Sequence, residues 1–267
     1  MKAIISHMGF EFKSVIRDKT LLLMNYLFPL AFYFMMQAIM PSINKEFSKY
    51  MIPGMTVFAV MVSTLLSMPN PIATSKEKGI YRSYKIYGVP LKSVLLVPVI
   101  TTMVHITIVS IIILITSTSF FGSTFPKQFL NFCLVYFISL FAFAGFGTLI
   151  GVCSPNNRVT VLLAQVIFIP SMLIGGVMMP TEMLSQNMQK ISKILPTTHC
   201  MNALGALAFN KKPVYSISSS IIVLLLGGIL SFALAAYLFT WDSKSDKPIK
   251  NLLGLAALLP YIISIFI

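Results

Sequence analysis

"KEKGIYRSYKIYGVPLKS", residues 76–93, places five basic residues and three tyrosines between two long apolar runs, 51–73 and 93–117. Each run exceeds the ~18 residues needed to cross a hydrocarbon core about 30 Å thick at 1.5 Å per residue. The stretch therefore reads as a connection between two spanning helices, and the same alternation continues along the chain. Six spans are predicted at roughly 20–40, 51–73, 93–117, 129–151, 159–180 and 217–240, with a possible seventh at 251–267. Composition agrees: 57% of the 267 residues are hydrophobic and 10% charged, against about 25% charged in soluble domains. No soluble domain of useful size is left over.

The net charge of +13 is read as membrane topology and not as nucleic-acid binding, because the bases sit in short connections between apolar runs. With a cytoplasmic N-terminus, thirteen of the 20 basic residues fall inside, and 76–93 faces the cytosol. Lys2 is not followed by the apolar core of a signal peptide before Glu11, Lys13, Arg17, Asp18 and Lys19, so the first span reads as a retained anchor. Cys133, Cys153 and Cys200 have no metal-ligand spacing and are read as packing residues.

Two segments are amphipathic and not spanning. Ile4, Ile5, Met8, Phe12, Val15 and Ile16 recur at helical spacing, with Glu11, Lys13, Ser14, Arg17 and Asp18 opposite. An N-terminal helix in the cytoplasmic interface follows. Leu184, Met188, Ile191 and Leu195 form a second stripe after the fifth span, predicting an outer interfacial helix that dips into the leaflet. Pro29, Pro98 and Pro170 fall inside spans, where each removes a backbone donor.

Chemistry is sparse. No phosphate-binding G-x-x-x-x-G-K-[ST] motif occurs, so the chain has no recognisable ATP site of its own. All seven acidic residues lie in connections or at span ends, which disfavours a proton-coupled antiporter. For His105, Asn25, Gln37, Asn70, Asn131 and Gln165, hydrogen bonding between helices is favoured over a proton relay or substrate path. Gly147 and Gly151 form a GxxxG pair for close helix packing. His199 and Cys200 are adjacent but lack a supporting carboxylate, so a hydrolase is disfavoured and no catalytic or metal residue is assigned.

The order of these features resembles the permease subunit of type-2 ABC exporters, over about residues 1–241. The resemblance rests on "YMIPGM" (50–55), on Glu77, Gly79 and Pro90 in the opening stretch, and on Gly176, Val177, Pro180, Glu182 and Pro196 within "LIGGVMMPTEMLSQNMQKISKILPTTHCMNAL" (173–204). It implies an all-α integral membrane protein with six spans, an N-terminal interfacial helix bearing Phe12, Lys13 and Arg17, and an outer gate region with Gly175, Gly176, Pro180, Glu182 and Pro196. Residues 242–267 form a polar spacer and a hydrophobic segment outside that plan. The resemblance also implies a cytosolic ABC ATPase as partner, which carries the ATP and Mg. Its contacts would be Lys76, Glu77, Lys78, Gly79, Tyr81, Arg82, Tyr84 and Lys85 on a coupling helix. A second permease copy or sibling permease and membrane lipid complete the expected partners, in a bacterial plasma membrane. Drug and antimicrobial-peptide export is the closest pattern, hence an amphipathic or hydrophobic cargo. A polysaccharide or teichoic-acid exporter, or a membrane immunity or scaffold protein, is the alternative.

Overall fold

A computed structural model describes residues 2–43, 48–242 and 248–266, with side chains over 7–43, 51–242 and 249–266. Lys2, Ile4, Ile5 and Tyr50 of the sequence reading have side chains outside those ranges, as do Lys45, Glu46, Lys49, Lys244, Asp246 and Lys247, which enter its counts of basic and acidic residues. The described residues are helical throughout their long elements and contain no strand. A 16-residue helix, α1 (Lys2–Arg17), comes first. Seven candidate spans follow among the described residues: α2 (Lys19–Ile43), α3 (Met51–Glu77), α5 (Leu91–Phe120), α6 (Phe129–Cys153), α7 (Asn157–Ile174), α10 (Ile217–Leu238) and α11 (Ile249–Phe266). Between them lie three shorter helices: α4 (Ile80–Ile86), α8 (Gln186–Ser192) and α9 (Pro196–Phe209).

The axis of the bundle is α3, of whose most apolar stretch 94% is buried, against 28% for α2, 22% for α7 and 17% for α11. It packs against α2, α5, α6, α7 and α9, while α6 also packs against α9 and α10. Large apolar side chains therefore face outward on the peripheral helices: Leu27 and Phe34 on α2, Leu162 and Val166 on α7, Leu252 and Leu255 on α11. In water such a surface would aggregate; in a bilayer it is the solvated face.

Small residues let the backbones approach. A Cβ on Gly147 would lie 1.9 Å from the Thr64 carbonyl oxygen of α3, and one on Gly151 would lie 2.9 Å from Ile72 Cβ. The same logic recurs where Gly145 of α6 meets Gly228 of α10. Only glycine permits these crossings, because any side chain would occupy the neighbouring backbone.

Two spans are locally widened into π-helical turns, Leu23–Leu27 in α2 and Val62–Ser67 in α3. Proline follows each within two residues, at Pro29 and Pro69. The proline ring clashes with the carbonyl four residues earlier and offers it no N–H, so a wider turn with i→i−5 bonds relieves both problems. Met68 N–H donates to the Ser63 oxygen at 2.9 Å in this way. Asn25 of the first wide turn donates through Nδ2 to Ser67 Oγ of the second at 2.9 Å, so the two turns are cross-linked inside the bundle.

The fifth span ends at Ile174 and not near residue 180 as the hydropathy predicts. Gly175 must pass Thr197, whose Oγ1 would lie 2.0 Å from a Cβ there. Gly176 then adopts φ +89°, a left-handed conformation that glycine reaches without steric cost. The outer helix is likewise shorter than its stripe: α8 covers only Gln186–Ser192, with Met188 and Ile191 exposed. The segment that dips into the protein is instead α9, which is buried along most of its length.

Candidate functional site

The connection between α3 and α5 is a compact projecting tip. Gly79 and Gly88, both at φ +71°, make left-handed turns at either end of α4, so a seven-residue helix can double back between two spans. Glu77, Lys78, Arg82 and Lys85 are exposed on this tip, and Tyr84 is half-buried. Ile86 and Tyr87, 75% and 84% exposed, stand beside the charges. An exposed isoleucine and tyrosine ringed by charge is the composition of a protein-docking surface, with an apolar centre and a polar rim.

Two residues of the charged stretch point the other way. Lys76 and Tyr81, predicted as ATPase contacts, are buried inside the helical bundle. Lys76 Nζ donates to the Val152 carbonyl at 2.6 Å. That carbonyl belongs to the last turn of α6, where the helix dipole favours a cation and unpaired carbonyls need donors. Lys76 thus ties the end of α3 to the end of α6. Tyr81 packs on Phe239 at a ring separation of 5.3 Å and on Tyr84 at 6.1 Å. Ile86 and Tyr87 were missed as surface residues because hydropathy alone cannot tell an exposed apolar side chain on a tip from a buried one.

α1 braces this tip. His7 meets Tyr84 edge-on at 6.0 Å, and Phe12 stacks on His105 of α5 at 4.2 Å. Tyr26 of α2 bonds His105 Nδ1 at 2.5 Å, so His105 links three helices. Lys13 and Arg17 remain exposed. Burial holds the Glu11 carboxyl above the usual carboxylate range, partly offset by His7. Burial first, and then the Glu11 charge, push Tyr81 and Tyr84 upward, which places Glu11 electrostatically within reach of the tip.

At the opposite face, Pro180 leads into a short 3-10 turn, Thr181–Met183, with Glu182 exposed. Pro196 opens α9 as its first helical residue, a position at which its missing N–H costs nothing. Pro180, Glu182, Lys211 and Lys212 line an open cleft of about 530 Å³. Asn202 fixes one wall: its Oδ1 accepts from Val214 and Tyr215 N–H groups at 2.9 and 3.2 Å. His199 lies beneath, with Nε2 donating to the Lys193 carbonyl at 2.8 Å. Burial lowers the His199 pKa to about 4 and raises the Cys200 thiol to about 12. A neutral, buried thiol cannot serve as a thiolate nucleophile, so the adjacent pair is a packing feature.

The in-span polar residues mostly bond to protein. Asn70 donates to the Leu66 carbonyl of its own helix at 2.8 Å and not across helices as expected, whereas Asn131 bonds Gln128 and, across to α9, the Leu207 carbonyl. Gln37 Nε2 and Asn25 Oδ1 are buried without a hydrogen-bond partner.

The family model for the "ABC-2 type transporter" matches residues 3–209. The chain belongs to the ABC-2 type transporter family. A relative from Bacillus subtilis (strain 168), named "Putative transport permease YvfS", is 22% identical over 232 residues, covering 85% of this chain and 93% of its own. The family match includes α1, the first five spans, the projecting tip and α9, and it stops before α10 and α11. This ABC-2 family chain is a multi-pass membrane protein, with seven helices among the described residues long and apolar enough to span.

Proposed function

We propose that this chain is the membrane-spanning subunit of an ATP-driven exporter, docked through α4 on a separate cytosolic ABC ATPase that binds ATP and Mg. The observation that carries this reading is the tip itself: Ile86 and Tyr87 exposed beside Arg82 and Lys85 on a helix held between two left-handed glycines. Such a surface has the aromatic anchor and basic groups that protein interfaces use. The basic residues of α4 and of the N-terminal segment support a cytoplasmic position for both.

The cargo is an amphipathic or hydrophobic molecule, moved from the cytoplasm or inner leaflet. Among the described residues, every carboxylate lies outside the spans or at the last residue of α3, leaving the bundle without acidic groups at depth. A highly charged glycan would find few counter-charges there. The exposed apolar faces of α2 and α7 suit a second permease, identical or related, as well as lipid.

Reconstitution with the ATPase that co-purifies from native membranes tests the reading. Arg82→Glu with Tyr87→Ala should abolish ATP-dependent transport while leaving the protein folded and inserted. Full transport by that variant, or transport that persists without ATP, would refute it.

A further inference from the structure

α11 lies beyond the family match and is wound unusually tightly. Residues Leu252–Leu258 and Ser264–Phe266 are 3-10 helix, with one α-helical turn, Leu259–Ile263, between them. A 3-10 run of seven residues is long for that geometry, which normally persists for three or four. What the winding supplies is reach.

The helix is fastened at both ends. Near its start, Asn251 Nδ2 donates to the Cys153 carbonyl at the end of α6, 3.0 Å away. Lys250 Nζ sits 4.2 Å from the centre of the Tyr237 ring at the same end of α10. At the far end, the Ser264 carbonyl accepts from Lys193 Nζ at 3.2 Å. Ser264 Oγ donates to the Tyr261 carbonyl of its own helix at 2.7 Å and also lies 3.4 Å from the Lys193 carbonyl and 3.3 Å from His199 Nε2. Between the two ends, the fully buried Tyr261 ring fills the notch left by Gly227, where a Cβ would stand 2.3 Å from its hydroxyl. That ring also contacts His199 at 5.8 Å and Phe146 at 5.6 Å.

Thirteen residue steps separate Asn251 from Ser264; at the ideal rises for these windings they would cover about 23 Å, against about 19.5 Å for an α-helix of the same residues. An α-helical α11 would fall roughly 3.5 Å short, more than a hydrogen bond can stretch. Both fastenings therefore require the tight winding, and relaxation to an α-helix must give up one of them.

We infer that α11 is a strap running from the α4 face to the opposite face, whose Ser264 end holds α8 and α9 in place and releases them when the helix shortens. The strap concerns the chain's own packing and goes beyond the transport reading, requiring neither an ATPase nor a cargo.

Two measurements on the full-length protein in membranes test it. A Cβ at Gly254 would lie 3.1 Å from Cys153 Sγ, close to the separation within a disulfide. Gly254→Cys should oxidise to an intramolecular disulfide with the native Cys153, and the bond should disappear in a Gly254→Cys/Cys153→Ser background. A folded Gly254→Cys protein that gives no disulfide overturns the docking. For the far end, Tyr261→Ala/Ser264→Ala alters α11 alone and should speed amide hydrogen exchange over 186–199 by about tenfold, the effect of losing one or two buried contacts. Exchange within 91–120 should stay unchanged. Should the double variant misfold, Ser264→Ala, which deletes a single hydroxyl, should still speed exchange over 186–199 about twofold to threefold. Unaltered exchange there in either folded variant overturns the strap.

Discussion

Gly147→Ala is the most sensitive single test of the packing described here. The added methyl would start 1.9 Å from the Thr64 oxygen, 2.9 Å from the Thr64 carbonyl carbon and 2.8 Å from Met68 Cε. Carbon and oxygen rest at roughly 3.3 Å or more, so the α3 backbone must retreat by about 1.4 Å to admit it. Met68 can swing aside at little cost, but the carbonyl is backbone and cannot. Nor is there room behind it, since α3 is enclosed by α2, α5, α7 and α9 as well as by α6. Overpacking of this kind costs about 1–3 kcal/mol and occasionally more; with backbone opposing the methyl, the expected loss is at or above about 3 kcal/mol. The assay is thermal unfolding of the purified protein in detergent, with Gly9→Ala as control. A Cβ on Gly9 meets nothing within 4 Å, and alanine there should stabilise α1 by up to about 1 kcal/mol. If Gly147→Ala melts at the wild-type temperature, α6 and α3 do not cross at this glycine, and the central packing described here is wrong.

Three further outcomes follow from the same geometry. Ser67→Ala should destabilise by about 1–3 kcal/mol, and by more than Asn25→Leu, because it strands the Asn25 amide while the leucine removes the amide altogether; thermal melts of the two variants give the order. Burial raises the Glu11 pKa, so its contribution to stability is full below the ordinary carboxylate value and is lost as pH rises through the raised one; Glu11→Gln should flatten that part of the melting-temperature profile. His199 has the opposite sign: with its pKa lowered from 6.5 to about 4, stability is full above pH 6.5 and falls as pH drops toward 4, and amide protection over 186–209, taken relative to the intrinsic exchange rate at each pH, should fall across that interval in the wild type but not in His199→Gln.

Spans were legible because length and hydropathy are sufficient to specify them: a helix facing lipid has few ways to be anything else. The family was legible from motif order, and the ABC-2 match bears it out. What hydropathy could not reveal was the fate of residues whose environment depends on a distant partner. Lys76 reads as a surface base until α6 ends beside it and offers the Val152 carbonyl. α9 escaped notice as an element because "PTTHCMNALGALAF" mixes polar and apolar residues and is too short to span, yet its threonines and histidine are buried among their partners. The paired wide turns had a signal in Pro29 and Pro69, but only the fold shows that they lie side by side.

Under the proposed docking, the same contacts determine where a displacement of α4 can go. α4 follows α3 after a single turn at Gly79, and Lys76, just before that turn, is bonded to α6. Along their crossing, α3 and α6 are separated by nothing larger than hydrogen at Gly147 and Gly151. Close-packed backbone does not compress, so a push at the tip moves α3 and α6 as one body. The wide turn at Val62–Ser67 moves with that body, because the Thr64 carbonyl within it lies against Gly147. Its cross-link to the matching turn in α2 passes that displacement to a peripheral span that can move against lipid. Motion would thus leave the glycine-packed core unchanged and appear at α2, a division of rigid body and hinge that spin labels on α2 and α6 could resolve.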